Sequence, residues 1–499
     1  MPTTTRTTSS SGGCFPHADV AEPHRLLFID GRWREPADGA TATVLDPATG
    51  GSAGTTALAG EADLELAVRA GRAQGRAWTE ATPDARGRVL ERAADLIDDR
   101  IEEIAVQLTR EQGKPLPDSI KEIRFAAEVF RYYGEEGKRI WGSLRPSARD
   151  DVKSIVSYAP VGLVGAIVPW NYPVDLYAWK VAPALAVGCP VIAKPPADAP
   201  LAIAAIVEAL VDAGLPAGAL ADLPGGPELG GALVGHPDVS AITATVSTQT
   251  GRDIMRAAAP TLKRLTLELG GQTPFVVLDD ADIVEAATAA VRRSFSNMGQ
   301  ICIAVNRVLV AETRREEFVE AVAERTRALR IGNGLDIGVE YGPAFSEAVL
   351  DKTHAHIQDA VNRGARLVTG GKRLDRSGFF VEPAVLDDVP LDALVMTEET
   401  FGPVMPVAGA RTDTQLLELA NALPYGLAAY VYSNNLERAW AFADRVEAGA
   451  VGINVNDVTE LQAPFGGWKL SGSGRDLGPE GLHTFLNTRH IRARVRRLN

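Results

Sequence analysis

The chain has little cysteine. Its 499 residues include three, Cys14, Cys189 and Cys302. Three thiols make no disulfide framework, and their spacing offers no metal site. The expectation is a reducing compartment, the cytoplasm, and no bound metal. Positive charge is also in deficit. There are 51 basic and 64 acidic residues, a formal net charge of −13. That balance works against nucleic acid and anionic membranes as partners. No apolar run reaches the ~18 residues a membrane helix needs. The most apolar region, 179–193, is broken by Lys180, Pro183 and Pro190. The start, MPTTTRTTSSSGGC, lacks an apolar core segment and does not read as a secretory signal. Residues 1–22 are rich in Ser and Thr and read as a disordered tail. Also missing is a G-x-G-x-x-G after the first long apolar run, so the standard dinucleotide fingerprint is absent.

What is present is a loop-rich globular composition, 45% hydrophobic with 48 Gly and 31 Pro. Length alone suggests about three domains. Residues 27–50 alternate apolar runs with turn signals and predict a hairpin or meander. From 61 to 142 the period is helical. Leu64, Leu66, Ala67 and Ala70 share one face; Ile97, Ile101 and Ile104 share another, in the next helix. Beyond 155 strands and helices alternate. Strands are predicted at 161–168, 190–194, 220–223, 239–243 and 264–269. Helices are predicted at 174–187, 200–213 and from near Thr248. Such alternation implies a parallel, Rossmann-like sheet. Ligands of these sheets sit beyond the carboxyl ends of the strands. Asn171, Lys194, Ser247 and Glu268 all fall just past strand ends. After Gly271 a second α/β region is predicted. It has helix 283–294, a turn ending at Cys302, strand 307–311, helices 314–329 and 347–363, and strand 366–369. The active site is then expected in the cleft between the two.

A lone cysteine is usually a buried apolar residue. Cys302 stands apart because Glu268 and Asn171 lie in equally distinctive company. The stretches PWNYP (169–173), LELGG (267–271), FSNMGQIC (295–302), EETFGP (398–403) and APFGGWKLSGSGR (463–475) resemble the signature blocks of the aldehyde dehydrogenase superfamily. Their order and approximate spacing also match, and the resemblance runs from about residue 27 to the C-terminus. It implies an α/β protein with two Rossmann-like parallel-sheet domains. The cofactor-binding domain would take 23–146 and 161–268, and the catalytic domain 269–487. A small β oligomerisation ribbon would use 147–160 and 488–499, giving a homodimer or homotetramer.

The resemblance also implies chemistry. Cys302 is the nucleophile, and as a thiolate it wants a polar, partly open setting. Its attack on an aldehyde gives a thiohemiacetal, with Asn171 and the Cys302 N–H as donors to the oxyanion. Hydride leaves to NAD or NADP, and Glu268 activates the water that cleaves the thioester. Members that transfer the acyl group to coenzyme A generally lack that glutamate, so its presence implies a free acid as product. Lys194 matches the residue for the adenosine ribose, Ser247 the phosphate side, and Trp170 the neighbourhood of the pyrophosphate. Glu399 and Phe401 match the pair that holds the nicotinamide ribose and ring. Tyr172, Leu176, Trp179, Ile301, Ile303 and Phe465 would line the substrate tunnel.

Some positions depart from the family. Residues 244–251 read ATVSTQTG where the family usually has FTGST-x-x-G. Valine at 246 is unsuitable if φ there is positive. These two departures, Ala244 and Val246, are the support for an alternative, a non-enzymatic protein with impaired cofactor binding. Ala197 replaces a glutamate found in many NAD-preferring members, which predicts that NADP is accepted. GEEGKRI (134–140) is similar to succinate-semialdehyde dehydrogenases, a second alternative. Those carry an arginine where this chain has Trp179; Lys121 or Arg124 are the candidate substitutes. Asp457 and Glu460 would add negative charge at the mouth. The expected substrate is therefore a medium-length aliphatic or aromatic aldehyde in preference to succinic semialdehyde.

Overall fold

The structure, a computed structural model, describes residues 23–495. The tail predicted at 1–22, with Cys14, and the last four residues of the predicted ribbon lie outside the described residues.

The first sheet has eight strands. Five parallel strands form its centre, in the order Arg264–Glu268, Ala241–Thr245, Val164–Ile167, Val191–Lys194 and Leu220–Asp222. Val164–Ile167 and Val191–Lys194 are buried at every position, as befits strands covered on both faces. Helix Pro173–Ala186 is also buried along its length and packs against helices Pro83–Asp99 and Leu116–Glu136. Proline at its first position supplies a pre-set φ where no N–H is needed.

The second sheet runs Arg366–Thr369, Ala384–Asp387, Val404–Ala410, Val305–Ala311, Thr273–Val277, Ala428–Tyr432, Ala450–Ile453. All its pairs are parallel except the first. The fold is thus α/β with two largely parallel sheets. A separate ribbon pairs Ser143–Arg145, Val152–Pro160 and Leu486–Arg494 antiparallel. Its strands are mostly exposed, including Leu144, Ile155 and Ile491.

Three features differ from the sequence reading. The predicted hairpin at 27–50 is not free-standing. Leu27–Ile29 and Arg32–Arg34 add to the first sheet beside Leu220–Asp222. Leu27, Phe28 and Ile29 are all buried, so both faces of that strand need cover. The helix expected to carry Ile97, Ile101 and Ile104 breaks at Arg100, whose φ of −111° and ψ of 14° separate Pro83–Asp99 from Ile101–Gln112. Finally, the late segment Gly472–Ser473 returns to the first sheet, antiparallel to Arg264–Glu268. This return brings residues near 465–476 against Glu268. Among the described residues, no helix is long and apolar enough to cross a membrane.

Candidate active site

Two irregular turns meet at the centre. The first leaves strand Val164–Ile167 and carries Trp170, Asn171 and Tyr172 into helix Pro173–Ala186. Lys114 and Glu122, a fully buried ion pair, hold this turn. Lys114 Nζ donates to the Asn171 carbonyl at 2.9 Å and lies 3.7 Å over the Tyr172 ring. Glu122 Oε1 accepts from the N–H groups of Val174 (3.0 Å) and Asp175 (3.3 Å), donors that a helix start leaves without partners.

The second turn carries Cys302. Asn297 and Met298 take left-handed φ values of 46° and 57°, followed by Gly299 at 76°. A Cβ on Gly299 would sit 2.4 Å from the Gly402 carbonyl oxygen, so glycine is required there. Gln300 braces the turn. Its Nε2 donates to the Asn297 carbonyl (2.9 Å), and its Oε1 accepts from the Phe345 N–H (2.8 Å). The Asn171 amide donates to the Gln300 carbonyl at 3.0 Å, joining the two turns. One of its two N–H hydrogens remains for another acceptor.

Cys302 is only partly exposed, and its thiol is pushed up to about 12 by burial, with the carboxyls of Glu399 and Glu268 adding to the effect. The partial exposure matches the partly open setting the sequence reading expected, while burial and the two carboxyls disfavour the thiolate. Glu268 ends strand Arg264–Glu268 and is 2% exposed. Burial raises its carboxyl well above the ordinary range; Asp476 adds to this, while Lys180 and Arg475 oppose it. Among the described residues neither carboxyl oxygen has a partner within hydrogen-bond geometry, although the Gly467 backbone also pulls the carboxyl down. Behind it lies a buried pair, Lys180 Nζ to Asp476 at 2.9 Å.

Asn171, Glu268 and Cys302 line one cavity of about 830 Å³, together with Tyr172, Leu176, Trp179, Ile301, Ile303 and Phe465. Trp179 makes edge contacts with Phe465 (5.2 Å) and Phe125 (6.4 Å). Lys121 reaches the wall but is exposed and paired with Asp118; Arg124 does not line the cavity. Asp457 lines it, whereas Glu460 does not and accepts from Gln462 Nε2 at 2.7 Å.

Trp170, Lys194, Ser247, Glu399 and Phe401 stand outside this wall. Trp170 stacks on Phe345 at 4.2 Å and meets Phe401 edge-on at 5.5 Å. Glu399 Oε1 accepts from the Gly271 N–H (3.2 Å), and burial pushes its carboxyl up to about 7. Lys194 is 9% exposed and pushed down to about 8 by burial; among the described residues no side-chain partner holds its ammonium. Ser247 caps helix Thr248–Ala258 by accepting from the Thr250 N–H. Val246 does not have a positive φ, so the valine is unstrained, and its N–H donates to the Glu268 carbonyl at 3.0 Å.

Residues 33–491 match the aldehyde dehydrogenase family. The chain belongs to that family. It is 39% identical to the mitochondrial succinate-semialdehyde dehydrogenase of Arabidopsis thaliana over 465 residues, 93% of this chain and 88% of the relative. It is 37% identical to the succinate-semialdehyde dehydrogenase [NADP(+)] of Escherichia coli, covering 93% of this chain and 96% of the relative. A solved NAD+ complex of aldehyde dehydrogenase from Bacillus cereus superposes with a TM-score of 0.93 at 34% identity, covering 95% of this chain and 97% of that one. The chain is therefore an enzyme of the aldehyde dehydrogenase type, and the non-enzymatic alternative falls away.

Several side chains of this aldehyde dehydrogenase escaped the sequence reading. Lys114, Glu122, Lys180 and Asp476 are buried charges whose partners are not marked by any local pattern. Phe345 has no local signal beyond its aromatic ring. Arg293, buried on the cavity wall, reads in sequence as one of two adjacent helix-end charges.

Proposed function

We propose that this enzyme oxidises an aldehyde to a free carboxylic acid with NAD or NADP, using Cys302, Glu268 and Asn171. The observation that carries the reading is that Cys302 and Glu268 open on one cavity, with both Glu268 oxygens unpartnered. A carboxyl left without partners at 2% exposure costs stability unless it serves a ligand or a reacting water.

The residues present fit a dinucleotide. Lys194 offers a buried ammonium with no side-chain partner among the described residues, suited to ribose hydroxyls. The Thr248–Ala258 N-terminus can receive pyrophosphate, and Trp170 would flank that group. Glu399 and Phe401 would hold the nicotinamide side. When bound, the cofactor accepts the hydride.

The protein supplies the remaining steps. The Cys302 proton leaves to Glu268, whose raised carboxyl makes it a stronger base than an ordinary glutamate. The sulfur adds to the carbonyl carbon, and the second Asn171 N–H and the Cys302 N–H receive the oxyanion; one such donor is worth about 3–4 kcal/mol. After hydride loss, Glu268 releases the Cys302 proton to solvent and, as carboxylate again, takes a proton from water as that water attacks the thioester carbon. Cys302 then leaves as thiolate. The aromatic walls at Trp179, Phe125 and Phe465 suit an apolar substrate body. Buried Arg293 on the same wall separately favours a semialdehyde of the kind named for the relatives. We also propose that the enzyme assembles as a homodimer or homotetramer through the exposed ribbon and works in a reducing compartment, the cytoplasm.

The test is intact-protein mass spectrometry of Glu268→Gln after mixing with aldehyde and NAD. The expected result is a mass increase of the acyl group, located at Cys302. No adduct, with normal turnover, would remove the thioester route.

A further inference from the structure

Arg293 lies in the last turn of helix Ile283–Phe295, and its side chain is 8% exposed. Among the described residues five cationic side chains reach the cavity wall, Lys121, Arg292, Arg293, Arg325 and Arg330, and of these Arg293 alone is buried. The others have their charge in water or tied elsewhere. Arg330 pairs with Glu340, Arg325 donates to Thr288 and Ala321, and Arg292 is exposed.

Arg293 uses two of its three nitrogens within the chain. Nε donates to the Asn456 carbonyl, and Nη2 pairs with Asp457 at 2.7 Å. Nη1 has no partner. The pair is unequal. Asp457 has a side chain 59% exposed, and its Oδ1 also accepts from the Thr459 N–H at 3.0 Å. A buried guanidinium without an anion is costly, whereas a carboxylate at the surface is easily hydrated.

We propose that Arg293 anchors a carboxylate or sulfonate at the far end of the aldehyde substrate, and that Asp457 is the internal carboxylate occupying the anchor between turnovers. This rests on the dehydrogenase reading above. The substrate anion replaces Asp457 at Nη2 and gains Nη1, the bidentate arrangement a guanidinium favours. The guanidinium stays paired throughout, and Asp457 moves into water, where most of its surface already lies. An uncharged tail leaves the Arg293–Asp457 pair in place. The apolar wall at Leu176, Trp179 and Phe465 holds the carbon body between the two ends. An arginine at 179 is then unnecessary, because the charge enters from another helix.

The experiment compares kcat/KM for matched aldehydes, 4-carboxybenzaldehyde against benzaldehyde and glutaric semialdehyde against hexanal. It uses the full chain and the variants Arg293→Gln and Asp457→Asn. The expected result is a fall of tenfold or more in the charged-to-uncharged ratio for Arg293→Gln. For Asp457→Asn the ratio rises, through a lower KM for the charged member. Ratios unchanged in both variants overturn the anchor while leaving the dehydrogenase reading intact. Should Arg293→Gln fail to fold by circular dichroism, Asp457→Asn decides, and an unmoved ratio there overturns the proposal. A wild-type chain inactive on all four aldehydes sinks the dehydrogenase reading and the anchor together.

Discussion

Lys114 Nζ donates to the Asn171 carbonyl at 2.9 Å while paired with Glu122, and both charged side chains are fully buried. The backbone bearing the proposed oxyanion donor is therefore set from outside the cavity. Lys114→Met leaves the Glu122 carboxylate buried and uncompensated, a loss of about 3–5 kcal/mol. Chemical denaturation should show that loss. The loosened turn should also lower kcat by about tenfold to a hundredfold, part of what a lost oxyanion donor costs. A variant with reduced stability but wild-type kcat would confine Lys114 to folding.

Glu111 is buried and pushed up to about 8 by that burial, against the N–H groups of Ala202 and Leu201, which pull the other way. The sign is fixed by linkage. With a raised folded value, the folded state holds the proton after the unfolded chain has lost it. Stability from this group is thus complete below the ordinary glutamate range and falls as pH rises toward about 8. A tenfold difference in proton affinity between folded and unfolded states corresponds to about 1.4 kcal/mol, which sets the scale of the loss. Thermal unfolding between pH 5 and 8 should show a falling Tm, and Glu111→Gln should flatten the slope. An unaltered slope in that variant would show that other groups carry it.

Ala197 puts no carboxylate beside the proposed ribose site, so the 2′-phosphate of NADP is not repelled from that position. Appreciable turnover with NADP alongside NAD is expected. Ala197→Glu should shift the kcat/KM ratio toward NAD by about tenfold, roughly 1.4 kcal/mol. Equal rejection of NADP by wild type and variant would contradict this. Asp198 and Glu228 already act on Lys194 and are the groups that would explain such a result.

Strand Leu486–Arg494 pairs with Val152–Pro160 along nine register positions, yet eight of its nine residues are exposed. An exposed strand with apolar Ile491 outward invites a partner edge or face. Deleting 488–499 should give smaller species or aggregates by light scattering. An oligomer of unchanged size would place the interface elsewhere.

The sheets were legible because periodicity changes where strands alternate with helices, and buried parallel strands such as VGAI at 164–167 read as short apolar runs. Cys302, Glu268 and Asn171, which share one cavity, could be singled out as candidates because each sits in a distinctive local stretch. What escaped the sequence was pairing across distance. Lys180 and Asp476 meet over 296 residues, and neither has a local signal. Gly472–Ser473 is a strand of two residues, too short for any period to show. The 27–34 hairpin was visible, but its addition to the large sheet depends on Leu220–Asp222, far along the chain. Arg293 carried no signal in the sequence because burial of a cation depends on a loop, 456–457, that only the fold brings to it.

The division of labour between Cys302 and Glu268 is the central claim, and stopped-flow absorbance of Glu268→Gln tests it most directly. Only thioester hydrolysis strictly requires the glutamate, since thiol ionisation can proceed more slowly to solvent. One equivalent of reduced cofactor per active site should form in a burst, followed by a steady rate lower by about a hundredfold or more. Cys302→Ala should give neither phase. A Glu268→Gln enzyme that turns over at the wild-type steady rate would remove Glu268 from the mechanism.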